Sequence, residues 1–227
     1  MTDAAHRRTD DGPVVEAAGL QLDFGPTRVL ADVTLAVDAG AELAITGRSG
    51  SGKTTLLLVL AGLLRPDAGV VRWPGLASDP GRRRAQIGMV FQAPSLLPEL
   101  TAAQNVALPL RLRGSSVASA AALATDALEI VDLGDAAAAL PAQLSGGMQQ
   151  RVAIARVLAG RPRLVLADEP TGALDREHAF GVLTALRDAV ATTGGSLVLA
   201  THDLELAGLL TDHAVLTDGR LRAAALR

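Results

Sequence analysis

The sequence predicts an α/β fold in which a mostly parallel sheet is preceded by an antiparallel β portion and interrupted by an inserted block of helices. Three observations predict it. Short apolar segments alternate with a helical pattern in the last third of the chain, the βα order that builds parallel sheets. Val14 to Leu22 and Val29 to Val37 instead alternate apolar and polar positions between glycine turns. The middle third is rich in Ala and Leu at helical spacing.

Taken in order, residues 1–13 mix Thr, Asp, His and Arg without an apolar run, which predicts a disordered tail and no secretory signal. Residues 14–227 are expected to form a single domain, since 227 residues allow one or two at roughly 150 each. Val14 to Leu22 and Val29 to Val37 read as antiparallel strands joined near Gly25-Pro26. Leu43 to Thr46 is a buried strand, and Thr54 to Leu64 a core helix stopped before Pro66. Val70 to Trp73 and Ile87 to Phe91 read as strands. Helical patterns over Thr101 to Leu112, Val117 to Leu133 and Gly147 to Leu158 predict a helical subdomain inserted at roughly 93–160. Ala136 to Ala139 is helix or connection. Leu164 to Ala167, Leu197 to Ala200 and Ala214 to Leu216 return as strands, with a helix over Arg176 to Ala191 and a last strand near Leu221. A regulatory domain after that strand is not expected.

Composition excludes several classes of function. An apolar fraction of 49% against 20% charged residues is incompatible with an intrinsically disordered chain. Net charge is -3 and Arg82 to Arg84 is the only dense basic cluster, which argues against nucleic acid as a partner. With no cysteine there is neither a disulfide framework nor a thiolate site. No apolar run approaches the roughly 20 residues of a membrane-spanning helix. Of the 21 basic residues a single one, Lys53, is lysine. Arg and Lys exchange freely at most solvated positions, so Lys53 marks a place that demands a compact ammonium.

Its surroundings supply the reason. Gly47-Arg48-Ser49-Gly50-Ser51-Gly52-Lys53-Thr54 follows a predicted strand and opens a predicted helix, the pattern of a phosphate-binding loop in a P-loop NTPase core. Glycines let backbone N–H groups turn inward, the helix N-terminus adds partial positive charge, Lys53 reaches terminal phosphates, and Thr54 offers a hydroxyl to Mg²⁺. Thr55 is counted with this loop. Leu164 to Ala167 runs into Asp168-Glu169, two carboxylates at a strand end, where ligands of such sheets bind. Asp168 is the candidate for the Mg²⁺ shell and Glu169 the candidate general base toward water.

Leu144-Ser145-Gly146-Gly147-Met148-Gln149-Gln150-Arg151 resembles the signature sequence of ATP-binding-cassette (ABC) ATPases, and the motifs follow that family's order from about Val14 to Arg222. The resemblance implies ATP and Mg²⁺ as cofactors and a head-to-tail cassette homodimer in which Ser145 and Gly147 of one copy touch the γ-phosphate held by the other, with Gly146 between them counted among the cofactor-binding residues. It also implies Phe24 as the aromatic on adenine, Gln92 as the residue approaching Mg²⁺ and water, Asp175 in the interface segment Ala173-Leu174-Asp175, and His202 as the γ-phosphate switch. Phe24 as a core aromatic is the competing reading. His6, His178 and His213 are assigned nothing.

Leu96-Leu97-Pro98 and Asn105-Val106-Ala107-Leu108-Pro109-Leu110 resemble the branch serving macrolide exporters, lipoprotein-releasing systems and cell-division complexes. That resemblance implies a separate membrane permease, a peripheral place on the cytoplasmic face of the membrane, and export or lipoprotein-type extrusion. The alternative is a mechanical or signalling module that moves a membrane partner without transport. Leu96, Leu97 and Leu100 either anchor a permease helix or cap the helical subdomain. Three departures from the branch stand out: a short Gly69 to Gln86 stretch, Met148 where Glu or Gln is common, and Gln104 where Glu is frequent.

Overall fold

In the computed structural model, residues 12–172 and 174–224 are described. Strands β1 (Pro13–Phe24) and β2 (Thr27–Asp38) form the antiparallel hairpin, turning at Gly25-Pro26 and pairing Leu22 with Leu30 and Phe24 with Thr27. Residues 1–11 lie outside the described residues, and Pro13, assigned above to the tail, opens β1. β3 (Glu42–Thr46) leads through the glycine loop into α1 (Lys53–Leu60).

Helix α1 ends four residues before the predicted Leu64. Gly62 adopts φ 69°, and the N–H groups of Leu63 and Leu64 both turn back to the Leu58 carbonyl. A left-handed glycine after a helix closes its last turn in this way, so the stop comes from Gly62 rather than Pro66. β4 (Ala68–Arg72) then adds a third strand, antiparallel to β1. A short helix that no apolar periodicity announced, α2 (Pro80–Gln86), is capped by Asp79 and buries none of its residues.

β5 (Ile87–Val90) leads to three helices: α3 (Ala102–Leu112), α4 (Val117–Ile130) and α5 (Gly146–Leu158). Each begins at a hydroxyl cap: Thr101, Ser116 and Ser145 accept from the N–H three residues on. α4 stops three residues before the predicted Leu133, because Asp132 turns left-handed at φ 56° and Leu133 N–H returns to Leu128. The alanine run beyond it is a connection whose Ala137 and Ala139 carbonyls accept the first N–H groups of α3.

The chain then alternates through β6 (Leu164–Asp168), α6 (Arg176–Thr192), β7 (Ser196–Thr201), α7 (Leu204–Ala207), β8 (Asp212–Thr217) and β9 (Arg220–Ala223). Strand order in the main sheet is β5-β6-β7-β3-β8-β9, parallel except for the β8–β9 hairpin. Alternate residues of its central strands bury into different clusters. Leu164, Leu166, Val198 and Ala200 pack with α1 and the β1–β2 hairpin, while Val165, Ala167, Leu197 and Leu199 pack with α5 and α6. The main sheet therefore separates α1 from α5. Among the described residues no helix is long and apolar enough to cross a membrane.

Candidate nucleotide site

The carboxyl ends of β3, β6 and β7 meet at one edge of the sheet, and the candidate residues gather there. A cleft of about 650 Å³ is lined by residues that include Phe24, Arg48, Ser49, Gly50, Gly52, Lys53, Thr54, Thr55, Gln92, Asp168, Glu169 and His202. The loop depends on two glycines. A side chain on Gly47 would start 2.5 Å from the Leu216 carbonyl, and one on Gly52, at φ 100°, would start 2.9 Å from the Val29 carbonyl. Any larger residue would push the loop off its strand neighbours.

Lys53 is buried, and its ammonium donates to the carbonyls of Gly47 at 2.8 Å and Arg48 at 3.3 Å. The same ammonium lies 3.7 Å from Glu169 Oε1. Thr54 Oγ1 donates to Asp168 Oδ2 at 2.7 Å. Burial pushes the Asp168 carboxyl above the usual carboxylate range, and Glu169 adds to the rise, while Thr54 and Lys53 act against it.

Glu169 sits at φ 45°, unusual for a residue with a side chain, and its N–H donates to the Ala200 carbonyl. Its carboxylate is held at both oxygens: His202 Nδ1 is 2.9 Å from Oε1, and Thr201 Oγ1 donates to Oε2 at 3.2 Å. A carboxylate aimed into a cleft beside an ammonium, with a histidine on it, is suited to polarising water near a bound phosphate. Thr54 and Asp168 are hard oxygen donors. Two protein oxygens suit Mg²⁺, which keeps waters and substrate oxygens in its shell, better than an all-protein cage. Among the described residues no group of three or more His, Cys, Asp or Glu is placed to hold a metal alone.

Phe24 is 53% exposed beside the cleft, so the core-aromatic reading fails. Ser145, Gly146 and Gly147 are not among the lining residues of the cleft; they form the N-terminus of α5, where Ser145 Oγ accepts from Met148 N–H at 3.2 Å. Asp175 is also outside it, capping α6. One copy thus assembles the phosphate loop, Asp168, Glu169, Gln92, Phe24 and His202, and leaves Ser145 to Gly147 and Asp175 elsewhere.

The sequence pattern of the ABC transporter family matches residues 30–172. The chain belongs to the ABC transporter family. It is 44% identical over 206 residues to the lipoprotein-releasing system ATP-binding protein LolD of Shewanella sp. (strain MR-4), covering 88% of this chain and 89% of that one. It is 41% identical over 235 residues to the methionine import ATP-binding protein MetN of Brucella abortus (strain 2308), covering 96% of this chain and 63% of that one. The chain therefore spans about 63% of the length of such methionine-import relatives. Among solved structures, the dimeric ABC cassette MJ0796 in a post-hydrolysis state bound to ADP and Pi aligns with a TM-score of 0.84 at 35% identity, over 94% of this chain and 99% of that one.

Within this ABC fold the site has neighbours that no sequence motif marks. Val29 lines the cleft, and Thr201 holds Glu169. A threonine before a histidine at a strand end was the available signal for Thr201. His178, assigned nothing, places Nδ1 at 2.7 Å from Asp175 Oδ2 and holds that exposed carboxyl below the usual range. His213 binds the Ala207 carbonyl; His6 and Ala173 lie outside the described residues. The two readings of the leucine segment divide: Leu96 packs on the helical cluster, whereas Leu97 is exposed.

Proposed function

We propose that the chain is the ATP-binding and ATP-hydrolysing subunit of an ABC transporter, acting on a separate membrane permease from the cytoplasmic face. The convergence of Lys53, Thr54, Asp168, Glu169 and His202 on one cleft carries this reading. Phe24 offers a ring face to adenine, and the loop N–H groups with Lys53 hold the phosphates. Thr54 and Asp168, with Gln92 nearby, are the residues that would hold Mg²⁺, which when bound neutralises phosphate charge. Glu169 takes the proton of a water aligned on the γ-phosphate, and His202 and Thr201 fix its carboxylate.

The separation of Ser145 to Gly147 from the cleft supports a head-to-tail homodimer, in which the N-terminus of α5 in one copy closes the site of the other. The motifs around Leu96 to Pro98 and Asn105 to Leu110, and the similarity to LolD, support extrusion; the similarity to MetN names the competing direction.

The test is affinity capture of Glu169→Gln from detergent-solubilised membranes with ATP and Mg²⁺. An ATP-dependent dimer carrying a permease is expected. A permease with few spans and a large extracytoplasmic domain supports extrusion, and a compact permease supports import. Recovery of the ATP-bound dimer alone overturns the membrane role.

A further inference from the structure

Residues 91–95, with Gln92 among them, are bound by helix α5 as well as continuing from β5. Gln150 is fully buried and donates from Nε2 to the Phe91 carbonyl at 2.9 Å, while its Oε1 has no partner. Arg156, six residues farther along α5, donates from Nη2 to the Pro94 carbonyl and from Nη1 to the Ser95 carbonyl, both at 2.9 Å. Carbonyls on both sides of Gln92 are thus fastened to one helix. Gln92 itself lines the cleft and lies beside Gly172, three residues after Glu169.

These side chains are ill suited to packing alone. A buried amide with an orphaned oxygen costs stability that a leucine of similar size would not. A guanidinium fork meets two successive carbonyls with its donors fixed in one plane, which orients the loop as well as holding it. The helix that carries both is rigid at about 1.5 Å per residue, and its N-terminus is Ser145-Gly146-Gly147.

We propose that Gln150 and Arg156 are positioning residues that make Gln92 move with the helix beginning at Ser145, so that seating this N-terminus on a phosphate sets Gln92 at the cleft in the same movement. The proposal rests on the ATPase reading above. It explains how a loop residue on the rim of one cleft can report closure made by a helix end outside it. Neither residue touches the phosphate loop, so ATP affinity should not depend on them.

The experiment measures ATP turnover with Mg²⁺ by the full chain carrying Gln150→Leu, Arg156→Lys or Gln92→Ala, and by the double variants with Gln92→Ala. Each tether variant should lower kcat about tenfold with KM for ATP within about twofold, and neither should lower kcat further once Gln92 is alanine. Losses that multiply in the doubles, or a change in KM alone, overturn the proposal. Amide exchange gives a readout independent of turnover: the N–H groups of Gln92, Ala93 and Ser95 should exchange about tenfold faster in either tether variant, with those of α1 unchanged. Unaltered exchange in a folded variant also overturns it. If the unmodified chain binds but does not hydrolyse ATP, the ATPase reading fails, and the exchange result still decides the tether. Arg156→Lys, which keeps the charge and the stem, serves where Gln150→Leu fails to fold.

Discussion

Replacing Glu169 by glutamine separates chemistry from binding, and the structure sets the size of both effects. The amide keeps the shape: its oxygen can accept from one of His202 and Thr201, at 2.9 and 3.2 Å from the carboxylate oxygens, while its NH2 faces the other, so the side chain can stay where the carboxylate was. What disappears is a negative charge 3.7 Å from the Lys53 ammonium. At an effective dielectric of roughly 20 that attraction is about 4 kcal/mol gross, and much of it is offset by the desolvation of two nearly buried groups. Lys53 freed of it is more available to phosphate, and the γ-phosphate loses a repelling neighbour. ATP affinity should therefore hold or tighten by up to about tenfold, or about 1.4 kcal/mol. Loss of a general base should lower kcat by about 10²- to 10⁴-fold, about 3 to 5 kcal/mol of barrier. Calorimetric titration measures the first quantity and phosphate release at saturating ATP the second. Turnover within about threefold of the unmodified chain would remove Glu169 as the base. An affinity loss of similar size to the rate loss would make it a binding residue instead.

Gly52→Ala forces a Cβ within 2.9 Å of the Val29 carbonyl at φ 100°; it should cost about 1 to 3 kcal/mol, seen as a fall of roughly 2 to 10 °C in the thermal midpoint, and should abolish ATP binding. A midpoint and affinity like those of the unmodified chain would refute the close approach. Asp168→Asn tests the buried carboxyl, whose raised value in the folded chain means its contribution to stability is full at low pH and is lost as pH rises through that value. Asparagine does not titrate, so the variant should gain in thermal midpoint relative to the unmodified chain as pH rises above the ordinary carboxylate range, while Mg²⁺-dependent turnover is lost; a difference independent of pH would contradict the assignment. Leu97→Ala should leave the melting curve unchanged, because Asn105 holds the Leu97 backbone through its N–H and carbonyl, and should weaken association with the permease. Intact association would sink that docking surface.

The parallel core was legible because each strand is a short apolar run, and the phosphate loop because its glycines and Lys53 are local in sequence. Helix ends were less so. Gly62 and Asp132 each end a helix by turning left-handed, which apolar periodicity does not register. α2 was missed since it buries nothing and so carries no apolar stripe. In the site, Glu169 and His202 were readable as strand-end residues, but their contact joins β6 to the end of β7 across 33 positions of sequence. The same holds for Gln150 and Arg156, whose partners are main-chain carbonyls about sixty positions away; a carbonyl leaves no trace in residue identity.

On the proposed reading that Ser145 to Gly147 close the site, the main sheet explains why one copy cannot do so alone. Helix α1 buries Leu56, Leu57, Val59 and Leu60 with one face of the sheet, and α5 buries Val152, Ile154, Ala155 and Leu158 with the other. A helix N-terminus acts on an anion only over about its first turn. The N-terminus of α1 belongs to the phosphate loop at the edge of the sheet. To bring Ser145 to that phosphate, α5 would have to leave the cluster that holds Val165, Ala167, Leu197 and Leu199, uncovering the apolar face of both central strands. Docking two copies achieves the same approach with both cores intact. In such a dimer each α5 presents its N-terminus to the other copy, and the apolar packing that keeps the two helix ends apart within one chain makes closure depend on the second.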